Sequence, residues 1–448
     1  MPAAATEPAA PAAANGRRIR RVALTALALL AIVYVALAVP VAAPHSTVVL
    51  AAGERSPDWL LGPWRVLGAG GADGRVTGPL FYAGLWAAML AYVVVLGAAR
   101  AIGPRLALGS IAAFHVLFLL APPLLSQDVF SYISYARLDV LHGLSPYTHS
   151  PDAVPQDAAF AFAGSRDATS VYGPLFTLAT YPLAKVGVPV AFWALKAVAA
   201  LASAGVVALT WRCASALGRD PTFAALVVGL NPLVLVHVVG GAHNDALMML
   251  LVMGGVTAAL LAREQLAGAL VAVAVAVKAS AGLVLPFLVI GARRRAGAIA
   301  AAAIAALAVL ALSLAVLGTN TFDAFGLIGQ NQERTTRWSV PQRLADGVAG
   351  LTGGSTDTVV HFTRALLAAG LIAVLALLLY RTYRAGRGSA EWIAAVGWAT
   401  LALLVASAWL VPWYAIWLLP FAALSASRRL IAASLALCAY MLVIAVPL

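Results

Sequence analysis

The residues able to do chemistry fall into a few short clusters. The first reads Ser126-Gln127-Asp128-Val129-Phe130-Ser131-Tyr132-Ile133-Ser134-Tyr135-Ala136-Arg137 and closes at Gly143-Leu144-Ser145-Pro146-Tyr147. With Ser126 as N-cap and no breaker before Gly143, it predicts a helix on which Asp128, Tyr132, Tyr135 and Asp139 share one face along the membrane surface. The helix dipole favours the ionised form of a first-turn carboxylate, and an ionised carboxylate can act as a base. The same pattern also suits an Asp128 that only supports the helix end, with the tyrosines as an interfacial belt.

A second cluster, Gly240-Gly241-Ala242-His243-Asn244-Asp245, places three consecutive polar side chains between apolar runs. They must face an aqueous or protein cavity, or form a turn wetted from outside. The paired glycines would let the backbone approach a bulky ligand. As a metal site the cluster is weak, because one His and one Asp supply too few ligands. Lys278 lies within an apolar run, where an ammonium either snorkels to the surface or needs an anion such as a phosphate. Arg334, Arg337 and Arg343 surround Trp338, which fits either a solvated charge run or recognition of a lipid phosphate or anionic glycolipid head group. Trp413 and Tyr414, after Pro412, could stack on a sugar ring or anchor the chain at the interface.

The elements that position these residues follow from composition. The chain has 448 residues, of which 62% are hydrophobic and 10% charged, which excludes a soluble fold. Continuous Ala/Leu/Val runs exclude a barrel, so the fold class is all-α: a polytopic transmembrane helical bundle. The net charge of +12 follows largely from arginines at cytoplasmic helix ends, so no nucleic-acid partner is inferred. Cys213 and Cys438 have no metal-ligand spacing and read as inert buried thiols. The excess of arginine over lysine, with abundant alanine, points to a high-GC bacterial genome and hence to a bacterial plasma membrane.

Arg17, Arg18, Arg20 and Arg21 precede an apolar run over 22–43 that is too long for a signal h-region. Residues 1–21 are therefore expected to be a disordered cytoplasmic N-terminus, followed by a retained first helix running outward. Further spans are predicted near 79–99, 104–125, 188–210, 222–239, 246–262, 296–317, 359–380, 391–410, 413–426 and 430–448. Between Arg263 and Arg293 both flanks are expected inside, so that stretch becomes two short helices broken near Lys278. The total is about 13 spans, forming one transmembrane domain over 22–448. Two long external loops, near 126–187 and 318–358, are rich in polar and aromatic residues and are expected to carry short interfacial helices; loops beyond about 15 residues are usually functional or disordered.

At Ser126 to Arg137, Gly143 to Tyr147, Gly240 to Asp245 and Pro412 to Tyr414 the chain resembles the actinobacterial polyprenol-phosphate-mannose-dependent alpha-(1->6)-mannopyranosyltransferases, multi-spanning GT-C glycosyltransferases. The resemblance covers residues 105–420 or so. Where members of that family commonly read Gly-Leu-Asp-Pro-Tyr, this chain has Ser145 in place of the acid. What the resemblance implies is transfer of mannose, on the external face, from a polyprenyl-phosphate-mannose donor to a lipid-anchored mannan acceptor. Asp128 falls at the position of the acidic residue in an early external loop and would be the base. Tyr132, Tyr135, Arg137, Tyr147, Trp413 and Tyr414 would bind substrate, and His243, Asn244 and Asp245 would orient sugar hydroxyls or the phosphate. Lys278, Arg334 and Arg337 are the candidates for the departing phosphate. No cofactor is expected, although paired external carboxylates leave a divalent metal open. Membrane lipids complete the partners.

Two other classes compete. A transporter or flippase of lipid-linked sugars would place ionisable residues at the midplane, where only Lys196 and Lys278 qualify, and would often show repeated halves. A scaffold for a cell-wall complex would need none of the polar clusters. A GT-C transferase of another polyprenyl-phosphate sugar, such as arabinose, is the nearest alternative within the enzyme class.

Overall fold

The computed structural model describes residues 10–49, 56–67, 74–324, 335–353 and 355–444. Every element among the described residues is helical. Arg334 lies outside the described residues. The first helix runs from Ala10 to Ala38, so part of the N-terminal segment expected to be disordered continues the first span's helix.

Five helices are long and apolar enough to cross a membrane: Asn15–Ala38, Gly78–Gly97, Val188–Ala216, Arg295–Leu317 and Thr356–Ala385. A sixth crossing results if Pro221–Gly229 and Val234–Gly240, bent by 62° at a short break, count as one span. The other predicted spans coincide with apolar helices of 10–17 residues, so fewer helices reach crossing length than the sequence pattern predicts. The expected break near Lys278 is present. Glu264–Val277 ends at Lys278, whose backbone is extended (φ −155°, ψ 123°), and the chain resumes as the 3-10 turn Ala279–Leu283 and the helix Val284–Gly291.

Buried tyrosines lock the first helices to the centre of the bundle. Tyr34 and Tyr92 donate to the carbonyls of Leu230 and Val227, each at 2.6 Å, which satisfies hydroxyls that would otherwise be stranded in an apolar core. Lys196, fully buried in Val188–Ala216, donates to the carbonyls of Ala121 and Pro122 and lies over the rings of Phe192 and Trp193. It thereby holds the chain just ahead of Asp128.

The 126–187 segment folds back over the bundle instead of lying along it. It contains the helices Asp128–His142 and Pro174–Ala184, joined through the 3-10 turns Pro151–Ala153 and Phe160–Phe162. Phe130 and Phe162 stack at 5.3 Å, and Phe130 stacks on Phe192 at 5.5 Å, pinning the segment to Val188–Ala216. The tyrosine face expected along the membrane surface is turned into protein: Tyr132 and Tyr135 are 2% and 4% exposed. Tyr132 finds edge contacts with Tyr172 and Phe176 that an interfacial belt would not provide. Gly173 docks the segment onto the helix break, its N–H donating to the Val277 carbonyl at 3.2 Å. A Cβ there would collide with the Ala276 carbonyl, so the approach requires glycine.

Candidate active site

Asp128 opens the Asp128–His142 helix, as its sequence position predicts, but the cap residue is Gln127. Ser126 Oγ accepts from the Asp128 N–H at 3.2 Å. The helix ends at Gly143 in the left-handed conformation (φ 67°, ψ 20°), the expected stop. Two non-glycine residues also adopt positive φ beside the site-bearing segments: Leu125 (φ 55°) before Ser126 and Ala242 (φ 58°) before His243. A left-handed alanine or leucine costs about 1–2 kcal/mol, so packing must over-determine both turns. Leu124 N–H donates to the Gly240 carbonyl at 3.3 Å, joining them.

A cavity of about 240 Å³ lies above this junction. Asp128, Tyr135, Lys278, Trp413 and Tyr414 line it, together with Tyr172 and Trp417. The Asp128 side chain is 34% exposed, and its Oδ2 lies 3.5 Å from Nδ1 of the fully buried His243. Burial, with the nearby Lys278 ammonium and His237, holds the His243 imidazole well below its ordinary pKa, hence neutral. Its ring stacks on Trp413 with centroids 3.8 Å apart and planes 16° apart.

Across the cavity Lys278 donates to Asp245 Oδ1 at 2.8 Å, and Trp417 Nε1–H donates to the same oxygen at 2.6 Å. Asp245 itself is fully buried. The Lys278 ammonium also lies over Tyr414 (4.9 Å) and Trp417 (5.3 Å), whose rings stack on each other at 3.9 Å. Lys278 therefore neither snorkels nor stands unpaired: it is gripped by one carboxylate and two ring faces. Beneath this wall, both ring nitrogens of His243, the Asn244 side-chain amide atoms and Asp245 Oδ2 are buried with no hydrogen-bond partner among the described residues.

The structure brings Asp128, Tyr135, Lys278, Trp413 and Tyr414 to one cavity, with Tyr132, His243, Asn244 and Asp245 packed behind its wall. Tyr135 contributes its ring; its hydroxyl donates to the Ala168 and Thr169 carbonyls. Arg137 and Tyr147 are elsewhere. Arg137 Nε donates to Asp157 at 2.8 and 3.1 Å and Nη1 to the Ala184 carbonyl, an internal brace. Tyr147 is buried with its hydroxyl on the Tyr172 carbonyl at 3.1 Å and Thr177 Oγ1 at 3.0 Å. Arg337 is exposed, lies over Trp338 and does not line the cavity, although neighbouring Thr336 is hydrogen-bonded to Ala408. Gly240 and Gly241 are buried, and their close approach is to Leu124 and to the His237 carbonyl, not to an open site. Among the described residues no three His, Cys, Asp or Glu side chains form a metal-holding group.

Sequence reasoning missed Tyr172, Trp409 and Trp417. For Trp417 a signal existed, since it follows Trp413 and Tyr414 by four and three residues and so shares their helical face. Tyr172 and Trp409 come from loops, and only tertiary packing delivers them.

Helices long and apolar enough to cross a membrane, with a cavity walled by a carboxylate, a paired ammonium and stacked rings, define a helical membrane protein with a polar and aromatic cavity. Residues 43–294 match the family model described as "Alpha-(1->6)-mannopyranosyltransferase, N-terminal domain", and residues 339–448 match "MptB C-terminal domain". The chain belongs to this alpha-(1->6)-mannopyranosyltransferase family and is a glycosyltransferase. The match extends beyond the 105–420 stretch carrying the motifs at both ends.

Alpha-(1->6)-mannopyranosyltransferase A of Mycobacterium tuberculosis is 32% identical over 354 residues, 73% of this chain and 67% of that protein. Alpha-(1->6)-mannopyranosyltransferase A of Corynebacterium glutamicum is 33% identical over 193 residues, 42% of this chain and 39% of that protein. Alpha-(1->6)-mannopyranosyltransferase B of the same organism is 24% identical over 341 residues, covering 67% of this chain and 55% of that protein.

Proposed function

We propose that the chain transfers mannose from a polyprenyl-phosphate-mannose donor to a lipid-anchored mannan, forming an alpha-(1->6) linkage on the external face of the plasma membrane. The observation that carries this reading is Asp128: a part-exposed carboxylate on the wall of a cavity whose other wall is aromatic and cationic. Family membership supports the mannosyl chemistry. A single base suits an inverting displacement, in which the donor is the β-anomer. The acceptor 6-hydroxyl oxygen attacks C1, the bond from C1 to the phosphate oxygen breaks, and polyprenyl phosphate leaves with the electron pair. Asp128 takes the hydroxyl proton.

The ring faces of Trp413 and Tyr414 suit a sugar. Burial keeps His243, behind Asp128, neutral, so the imidazole meets the carboxylate as a polar neighbour at 3.5 Å and not as a fixed cation. The architecture is read as GT-C type, with the N-terminus inside and the 126–187 segment outside, following the arginine distribution.

The test is an assay of the purified full-length chain with synthetic polyprenyl-phosphate sugars and an alpha-(1->6)-mannoside lipid, with and without chelator. Mannose transfer unaffected by chelator is expected. Transfer from the arabinose donor alone would overturn the sugar, and loss on chelation would require a metal at the carboxylates. Cysteine substitution at 150, with labelling from outside in intact cells, tests the orientation; labelling only after lysis would invert it.

A further inference from the structure

Two runs of arginine that lie far apart in the chain meet at one end of the bundle. Arg293, Arg294 and Arg295 stand at the start of the helix Arg295–Leu317, and Arg381, Arg384 and Arg387 stand in and just after the last turns of Thr356–Ala385. The far end of Arg295–Leu317 carries Leu317, which packs on Tyr147 of the 126–187 segment, so the arginines lie at the end remote from that segment. The two runs are clasped together. Gly388 N–H donates to the Gly291 carbonyl at 2.7 Å, and Arg295 lies 5.7 Å over the ring of Tyr383 while donating to the Ile290 carbonyl. Gly388 is left-handed (φ 78°), and a Cβ there would come within 2.8 Å of Arg293 Nε, so glycine lets the Arg293 side chain lie across the turn.

Apart from Arg295 these arginines are exposed, and among the described residues none of the six is in an ion pair. Glu264, at the start of the helix packed on Arg295–Leu317, and Glu391, just beyond Arg387, pair with none of them. Retention of arginines at helix ends explains each run separately; it requires no clasp between them. The patch is flanked by apolar surface. Only 11% of the crossing window of each of the two helices is buried within the chain, leaving Ile304 and Leu307 exposed on one and Ile372 and Leu377 on the other. Tyr380 and Tyr383 are exposed beside the arginines, as aromatic residues are at headgroup depth. We propose that this patch binds an anionic phospholipid, the guanidinium groups taking its phosphate and the exposed faces of the two helices its acyl chains. Planar guanidinium groups offer paired N–H donors to phosphate oxygens, and a basic cluster at one membrane surface suits acidic headgroups. Lipid lies against both flanks, so a headgroup reaches the patch from the side; this favours a phospholipid over a soluble acidic protein. A headgroup between the runs offsets their mutual repulsion and ties the two helix ends. The inference uses no part of the donor or acceptor reading.

The experiment follows thermal unfolding and lipid binding of the purified full-length chain in nanodiscs of phosphatidylcholine, with and without phosphatidylglycerol. Phosphatidylglycerol is expected to raise the unfolding midpoint by about 2–4 °C. The triple variant Arg293→Gln, Arg384→Gln, Arg387→Gln should lose that gain and bind phosphatidylglycerol about tenfold or more weakly. Arg17→Gln, Arg18→Gln, Arg20→Gln removes as many cations from the first helix and should keep both. Equal loss in the second triple would mean a general surface attraction and overturn the site. Unchanged phosphatidylglycerol affinity in the first triple would also overturn it, and would leave the patch to an acidic protein. A measurement needing no variant uses phosphatidylglycerol with a photoreactive acyl chain. Labels concentrated on residues 295–307 and 372–385 support the site, and labels spread evenly over the lipid-facing helices overturn it.

Discussion

Two charged clusters sit at opposite ends of the Asp128–His142 helix and are built by opposite rules. At the C-terminal end Asp157 accepts from Arg137 Nε, from the Ala159 N–H at 2.9 Å and approaches His142 Nε2 at 2.9 Å. Its acceptor capacity is taken up inside the protein. At the N-terminal end Asp128 and Lys278 gather with His243, Asn244 and Asp245, several of whose buried polar atoms have no hydrogen-bond partner among the described residues. A buried polar atom without a partner costs about 1–3 kcal/mol. The contrast is between a carboxylate engaged by several donors inside the protein and one that is part-exposed on a cavity wall.

The largest effect is expected at Asp128. Asp128→Asn preserves shape and removes the base, so turnover should fall by about a thousandfold while thermal unfolding stays unchanged. Near-normal turnover in monodisperse mutant protein would dissolve the functional half of the comparison. Next comes Asp245→Asn, which leaves the Lys278 ammonium and the Trp417 N–H facing a neutral group. A loss of about 3 kcal/mol in stability is expected, with turnover reduced through the displaced aromatic wall. Adding Lys278→Met to it should restore stability without restoring turnover. Strict additivity of the two stability changes would show that the pair is not a unit.

At the other end, Asp157→Asn should cost about 2 kcal/mol of stability and leave the turnover of folded protein within about twofold. The pH dependence sharpens this. Burial alone would raise the Asp157 pKa, but hydrogen bonds from Arg137, His142 and the Ala159 N–H outweigh it and hold the carboxyl below its ordinary range. A depressed carboxylate contributes stability that is complete above the ordinary carboxylate pKa and is lost as pH falls through the lowered one. Wild type should therefore lose stability on acidification along a slope that Asp157→Asn lacks. Parallel curves for the two proteins would remove Asp157 as the source.

Much of this was legible in the sequence, for reasons that can be named. Asp128 at a helix start and the stop at Gly143 follow from local rules of capping and glycine, and the break near Lys278 follows from arginines on both flanks of one apolar run. Helix positions followed hydropathy, whereas crossing length did not, because helices such as Asp245–Leu260 and Glu391–Ala406 are shorter than the apolar runs containing them. Arg137 and Asp157 were illegible as a pair because their meeting across 20 residues depends on how the loop folds back. The same holds for Trp417 and Asp245, 172 residues apart.

The smallest effect should come from Tyr147, and it bears on how far the site extends. Family resemblance would place this residue at the substrate, yet its ring packs with Leu317, Leu178 and Tyr181, and its hydroxyl is engaged by Tyr172 and Thr177. Tyr147→Phe removes one buried hydrogen-bonding group and leaves the Tyr172 carbonyl short of a donor, so a loss of about 1 kcal/mol is expected with donor and acceptor KM unchanged. Because Tyr172 lines the Asp128 cavity, the mutation also reports on coupling between brace and site. A raised KM with intact stability would mean that the brace tunes the cavity wall. A fall in stability alone would keep Tyr147 on the structural side of the comparison, with Arg137.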